Sequence, residues 1–171
     1  MSAKKASSVT RLSRKQVGNS SADQSKAERR LADAKLQALI DKFAPTQLRL
    51  IGTLRGSLRK RLPSAHEVVY EYRDSVVISF SPNAHGYEGV FSIKAGGNLV
   101  KLYFNRGKDL SDPTKLLKGS GTVVRSIDID SASALKRPEV VRLMDEAIAL
   151  NPIPFDVVGS GSIVFRSKTS K

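Results

Sequence analysis

Pro63 divides the chain into two parts with different hydrophobic periods, and this change limits the available folds more than any other feature. Before Pro63, apolar residues recur every three or four positions, which predicts amphipathic helices. After Pro63 they alternate with polar residues, which predicts strands with one buried face. Helices, then hairpins, then a last helix indicate an α+β fold rather than alternating βαβ units. We expect an antiparallel sheet of about five strands that helices cover on one face.

Three helices are predicted, each from an apolar stripe and a boundary signal. The first begins at Ser25, where a Ser-x-x-Glu sequence fits a capping box. The second begins at Pro45, since proline is tolerated at the first helical position, and it ends before Pro63. The third begins at Pro138 and runs through Leu150. Its predicted core stripe is Val141, Met144 and Ile148.

The first predicted hairpin joins the segments Glu67–Tyr72 and Val76–Ser81. A three-residue loop, Arg73–Ser75, would pair apolar residues with one another on a single face. These pairs are Val68 with Phe80, Tyr70 with Ile78 and Tyr72 with Val76. A two-residue loop would instead place Glu67 and Glu71 opposite Phe80 and Val76. Because the buried face sets the register, we expect the three-residue loop.

The second predicted hairpin turns at Gly96-Gly97, which can supply the positive φ angles of a type I′ turn. The pairs on its apolar face are Ile93 with Val100 and Phe91 with Leu102, while Ser92, Lys101, Val90 and Tyr103 fall on the other face. A fifth strand is predicted over Thr122–Ile129. Residues Ser162–Phe165 are a candidate short edge strand.

The net charge of +13 is distributed unevenly along the chain. Residues 1–22 carry +5 with no acidic residue, and residues 23–62 carry +6. Residues 63–156 carry −1, and the last fifteen residues carry +3. Residues 1–22 hold too few apolar side chains to offset the entropy of ordering, so we expect disorder there. We expect the α+β domain over residues 23–158, followed by a basic tail over 159–171.

Composition excludes several classes of protein. The chain has no cysteine, which excludes disulfides, thiolate metal sites and thiol nucleophiles. No apolar run reaches the length of a membrane helix, and no secretory signal core is present, so we expect a cytoplasmic protein without membrane contact. Neither His66 nor His85 lies in a metal-binding spacing, and no Gly-x-Ser-x-Gly sequence occurs. We therefore expect a non-enzymatic protein without a cofactor.

The segment Lys118-Gly119-Ser120-Gly121 is the strongest candidate for a ligand site. Its backbone N–H groups could form a small nest that holds an anion. As a turn that leads into the fifth strand, the segment needs no ligand. Arg125 shares strand parity with Val123 and Ile127, so it points to the apolar side or its rim and requires a carboxylate or carbonyl partner. Asp109 or Asp112 could supply it, and loss of this buried partner would make Arg125→Ala destabilising.

The order of these motifs resembles the YdhG-like domain family, a largely bacterial family of unknown function. The resemblance spans about residues 45–168. The matching residues are Leu62-Pro63, Glu67-Val68, Leu102-Tyr103-Phe104, Gly107, Leu110, Asp112-Pro113, Leu116-Leu117, Gly119-Ser120-Gly121, Arg125-Ser126-Ile127 and Val164-Phe165-Arg166-Ser167-Lys168. The resemblance implies helices packed on an antiparallel sheet in a frataxin-like fold.

Some YdhG-like proteins are described as frataxin-like iron chaperones, so the resemblance also implies a candidate metal site. Its ligands would be Glu67, Glu71 and Asp74, the acidic residues near the first hairpin. Iron requires oxygen-rich sites, and the +6 on the preceding helices weakens such a site. Glu67 and Glu71 share one strand face, and solvated carboxylates on an exposed face explain them equally well.

Three functions follow as hypotheses. The leading one is a binding module for a protein or an anionic ligand, with Lys118–Gly121 and Arg125 as its site. The second is iron binding. The third is weak, sequence-independent nucleic-acid binding through the basic N-terminal part. The chain shows no base-reading motif and no recognisable platform of exposed aromatic residues. The N-terminal residues that would contact nucleic acid are Lys4, Lys5, Arg11, Arg14 and Lys15.

Overall fold

The computed structural model describes residues 24–166, so the predicted disorder of residues 1–22 lies outside the described residues. Within that range the chain forms three α-helices and six strands, which confirms the predicted α+β class. In chain order they are α1 (Lys26–Ile40), α2 (Pro45–Arg61), β1 (His66–Glu71), β2 (Ser75–Ser81), β3 (Phe91–Gly96), β4 (Leu99–Phe104), β5 (Arg125–Asp128), α3 (Pro138–Ala149) and β6 (Ile163–Arg166).

The strands form one sheet in the order β5-β4-β3-β2-β1-β6. All neighbours are antiparallel except β1 and β6, which run parallel. The sheet has six strands instead of the expected five or so, because the candidate edge strand in the tail joins it as β6. The side-chain amide of Gln24 donates to the carbonyl of Ile163 and accepts from its N–H, at 3.3 and 3.0 Å. Gln24 thus occupies part of the outer edge of β6.

The helices cover one face of the sheet, and a single apolar core lies between them. The capping box is confirmed, since Ser25 Oγ accepts from the Glu28 N–H and the Glu28 carboxylate accepts from the Ser25 N–H. Pro45 begins α2 as predicted. The predicted stripe of α3 is only partly right, because its buried residues are Val140, Leu143, Met144 and Ala147. Met144 belongs both to the predicted stripe and to a neighbouring stripe that contains Leu143. The structure buries the neighbouring stripe.

The predicted register of the first hairpin is wrong. Glu67 pairs with Phe80 and Glu71 with Val76, which is the arrangement that the two-residue loop gives. The N–H of Tyr72 donates to the carbonyl of Ser75 at 2.9 Å, so only residues 73 and 74 form the loop. Glu67 therefore lies on the helix-covered face and is 1% exposed. Counting apolar residues failed here because a buried carboxylate with charged partners occupies a core position.

The second hairpin also differs from the prediction, by two residues. Ile93 pairs with Leu102 and Phe91 with Phe104, so the turn lies at Gly97-Asn98. Gly97 has a φ of 55°, and the φ of Asn98 is not positive. A type II′ turn requires a positive φ only at its first central residue, so this turn fits type II′ and not the predicted type I′. A shift of two residues leaves the paired side chains on their predicted faces, since strand side chains alternate with a period of two. Val90 precedes β3, and its predicted place away from the core is wrong, because it is 4% exposed and belongs to the core cluster.

The fifth strand is shorter than predicted, because only Arg125–Asp128 pairs with β4. The second face of the sheet is covered in part by the loop 82–90. A Cβ at Gly86 would lie 2.9 Å from the Tyr70 hydroxyl and 3.1 Å from Val68, so the loop rests directly on β1. Asn105 ties the same loop down by donating to the Gly89 carbonyl at 2.7 Å. Within residues 24–166, the part of this face around Lys94, Lys101 and Tyr103 remains open as a cavity.

Candidate functional site

A cluster of charged side chains lies between α1, α2 and β1. The guanidinium of Arg55 donates to both carboxylate oxygens of Glu67, through Nε and through Nη2, the second bond being 3.2 Å long. Arg55 Nη2 also donates to Asp33 Oδ1 at 2.5 Å. Arg59 Nε lies 3.4 Å from the same Glu67 carboxylate. We call these four residues the buried ionic cluster; two helices and the sheet meet in it.

Burial disfavours the charge on Arg55, but hydrogen bonds and Coulombic attraction from Glu67 and Asp33 outweigh it and raise the pKa of Arg55. The Arg55 side chain is 10% exposed and the Glu67 side chain 1% exposed. Every polar atom that the cluster buries has a hydrogen-bond partner within residues 24–166. Contacts within the protein therefore satisfy the buried ionic cluster.

The predicted anion-binding segment is exposed and held by bonds within the protein. The N–H of Lys118 donates to the Ser126 carbonyl and the Lys118 carbonyl accepts from the Ser126 N–H, at 2.7 and 2.8 Å. Gly119 has φ 126°, a backbone conformation that glycine adopts without strain. Ser120 and Gly121 are exposed beside it. The structure thus places the four residues together in a turn against β5, and their role as an anion site stays a prediction.

Arg125 lies on the helix-covered side with Ile127, as its parity predicts. Its partners are carbonyl groups, since Nη1 donates to Gly121 O at 2.5 Å and to Val124 O at 2.8 Å. These bonds are exposed, so the expectation of a buried partner is wrong. The proposed carboxylates are engaged elsewhere, because Asp109 accepts from Arg106, and Asp112 accepts from the backbone of residues 116 and 117.

The candidate metal ligands are not brought together by the fold. Glu67 is bound by Arg55 and Arg59, and Glu71 accepts from Lys42 Nζ at 3.3 Å. The explanation of Glu67 as a solvated carboxylate is wrong, because this residue lies in the core. Residues 24–166 contain no group of three or more His, Cys, Asp or Glu side chains placed to hold a metal ion.

A cavity of about 590 Å³ opens on the uncovered part of the sheet. Its walls include three cationic side chains, Arg73, Lys94 and Lys101, and one carboxylate, Asp74. A second cavity of about 220 Å³ continues from it, and the two share Lys94 and Tyr103. We call both together the sheet groove. Its remaining walls are Tyr72, Ser75, Val77, Ser92, Gly96, Gly97, Leu99, Asn105 and Val124.

The cations of the sheet groove differ in how they are neutralised. Neither Lys94 nor Arg73 forms an ion pair with any other part of the described chain. Lys101 Nζ lies 3.3 Å from Asp128, which Lys118 Nζ also contacts at 2.8 Å. The hydrogen bond from Lys118 is the largest cause that lowers the pKa of Asp128, and Lys101 adds to it. Asp128 therefore connects the predicted Lys118 segment to the groove.

Part of the sheet groove could be found from the sequence. Alternation predicts that Ser92, Lys101 and Tyr103 share the face away from the core, and the structure confirms this placement. Lys94 follows from the same alternation, but no sequence motif marks it. Tyr72 and Tyr103 also line the groove, and sequence reasoning did not single them out.

None of the three helices described here is long and apolar enough to cross a membrane. No protein-family model, no curated protein and no solved structure matches this chain.

Proposed function

We propose that the protein is a non-enzymatic binding module and that its ligand is an anion with phosphate groups, held in the sheet groove. The observation that carries the proposal is the presence in one cavity of Lys94 and Arg73, which form no ion pair with any of residues 24–166. Lysine binds phosphate as a point charge, and arginine binds it through a planar fork of donors.

The groove also has the mixed lining of a ligand site. Its larger cavity, about 590 Å³, lies in the usual volume range of ligand cavities. Apolar side chains such as Leu99 and Val124 also line it, and both cavities share Tyr103. A protein partner was the other predicted occupant. Among the described residues that line the groove, the cations outnumber the one carboxylate, Asp74, and this surplus favours the anion.

Titration calorimetry with sodium tripolyphosphate at low salt tests the proposal. We expect binding by the full chain and at least a tenfold loss in the double variant Lys94→Gln/Arg73→Gln, since two phosphate contacts are removed. The matched control is Lys60→Gln, because Lys60 is an exposed lysine on α2 far from the groove in the fold. Equal affinity in the groove variant and the control would contradict the proposal.

The same titration distinguishes the groove from the predicted segment Lys118–Gly121. The double variant Lys118→Gln/Arg125→Gln removes both cations of that segment and leaves Lys94 and Arg73 in place. We expect it to bind tripolyphosphate nearly as well as the unmodified chain, because these two side chains are already bonded to Asp128 and to carbonyls. Loss of binding only in this variant would move the site to the segment. Membership of the YdhG-like family, and the frataxin-like fold it implies, stay predictions.

A further inference from the structure

We infer that the ligand of the sheet groove is single-stranded nucleic acid, an inference that rests on the proposed function. The groove follows β3 and β4 from the turn at Gly97 to Asn105. At a rise of about 3.4 Å per residue, the stretch from Leu99 to Asn105 spans roughly 20 Å. A groove of this length suits an extended chain of phosphates better than one compact anion.

The aromatic lining indicates which kind of polyanion fits. Tyr72 is 37% exposed at one end of the groove, and Tyr103 lies at its centre. Single-stranded nucleic acid presents unpaired bases that stack on aromatic side chains while its phosphates contact cations. A duplex keeps its bases stacked inside, and polyphosphate has none. Neither of these polyanions could use the tyrosine surface.

The cations of the groove set an expected salt dependence. If Arg73, Lys94 and Lys101 each contact one phosphate, the logarithm of the affinity falls with the logarithm of salt concentration with a slope of about −2. Replacing Lys94 with glutamine makes this slope shallower by about 0.7. Replacing a stacking tyrosine lowers affinity and leaves the slope unchanged, since no charge is removed.

Fluorescence anisotropy with a labelled twelve-nucleotide oligothymidine tests the inference on the full chain. In every variant the five basic residues Lys4, Lys5, Arg11, Arg14 and Lys15 are changed to glutamine, which removes their separate contribution. We expect Tyr103→Leu to weaken binding about tenfold and Tyr103→Phe to bind like the parent, since phenylalanine also stacks. Tyr72→Leu supplies the same comparison if far-UV circular dichroism shows that Tyr103→Leu is unfolded.

Competition by an equal-length duplex and by tripolyphosphate separates the two proposals. Tighter binding of the oligothymidine than of either competitor, with the tyrosine effect, supports the inference. Equal binding of all three that Lys94→Gln/Arg73→Gln abolishes would overturn the nucleic-acid assignment and leave the anion-binding function standing. Binding of all three that this double variant leaves unchanged would overturn both.

Discussion

Replacing Arg55 with methionine and Glu67 with leucine, singly and together, measures what the buried ionic cluster contributes to the free energy of unfolding. Both replacements are apolar and of similar volume, so they exchange charge for packing. Each single variant leaves one buried charge with a reduced set of partners. Removing one member of a buried pair costs about 3–5 kcal/mol. Without Glu67, Arg55 keeps Asp33 as a partner, and without Arg55, Glu67 keeps Arg59. We therefore expect each single variant to lower the free energy of unfolding by about 3 kcal/mol, the lower end of this range.

The double variant has a different expected result. With both charges absent, neither is left unpaired, and apolar replacements of buried ion pairs are often neutral or stabilising. We expect the double variant to lie within about 1 kcal/mol of the parent, which gives a coupling energy of about 5–7 kcal/mol. The exposed pair Lys42–Glu71, with side chains 66% and 53% exposed, is the matched control, and its coupling should stay below about 1 kcal/mol.

Urea unfolding followed by far-UV circular dichroism measures these values, since the chain has no tryptophan to report on folding. Equal m-values across the variants would show that the midpoints reflect stability alone. Two outcomes would refute the interpretation. If each single variant lowers the free energy of unfolding by less than about 1 kcal/mol, the Glu67 carboxylate remains hydrated in the folded protein. A double variant as unstable as the sum of the singles would show that the two charges are not coupled.

Three further predictions concern single positions. Gly52→Ala in α2 should raise stability by about 0.4–1 kcal/mol in thermal unfolding, because its Cβ meets nothing within 4 Å; a lower melting temperature would contradict this. Gly107→Ala should lower the melting temperature, because its Cβ would lie 2.8 Å from the Arg125 backbone nitrogen; an unchanged value would place the two segments further apart. For Asp112, burial opposes the charge but hydrogen bonds from the Leu117 and Leu116 N–H groups outweigh it and lower the pKa. The stabilisation that Asp112 contributes is therefore present above the unfolded pKa of about 3.9 and is lost as pH falls through the lower folded pKa. In urea titrations at decreasing pH, the free energies of unfolding of the parent and of Asp112→Asn should therefore converge.

Local signals in the sequence predicted the elements well. The capping box at Ser25 and the proline at Pro45 act within one turn of helix, so their effect does not depend on the rest of the fold. The register of the first hairpin depends on a distant residue. Glu67 can occupy a core position only because Arg55, on another element, neutralises it there. A rule that pairs apolar residues with apolar residues cannot include that contact.

The sheet groove shows the same division between local and distant causes. Alternation along β4 is a local property, and it placed Lys101 and Tyr103 on the face away from the core. Whether that face is open depends on where the loop 82–90 folds. Gly86 holds this loop against β1 with φ 85°, and nothing in the alternation pattern indicates which strands it covers.

The position of β6 beside β1 has a consequence for synthesis of the chain. About 90 residues separate the end of β1 from the start of β6. The N-terminal region also depends on the segment around β6, because Arg29 on α1 donates to the Gly161 carbonyl and Gln24, just before α1, donates to the Ile163 carbonyl. At about 5–20 residues per second, the edge of β1 remains without its partner for roughly 5–20 s on the ribosome. An unpaired strand edge is a site of intermolecular pairing. Until β6 has been made, the nascent protein is therefore open to aggregation through the edge of β1.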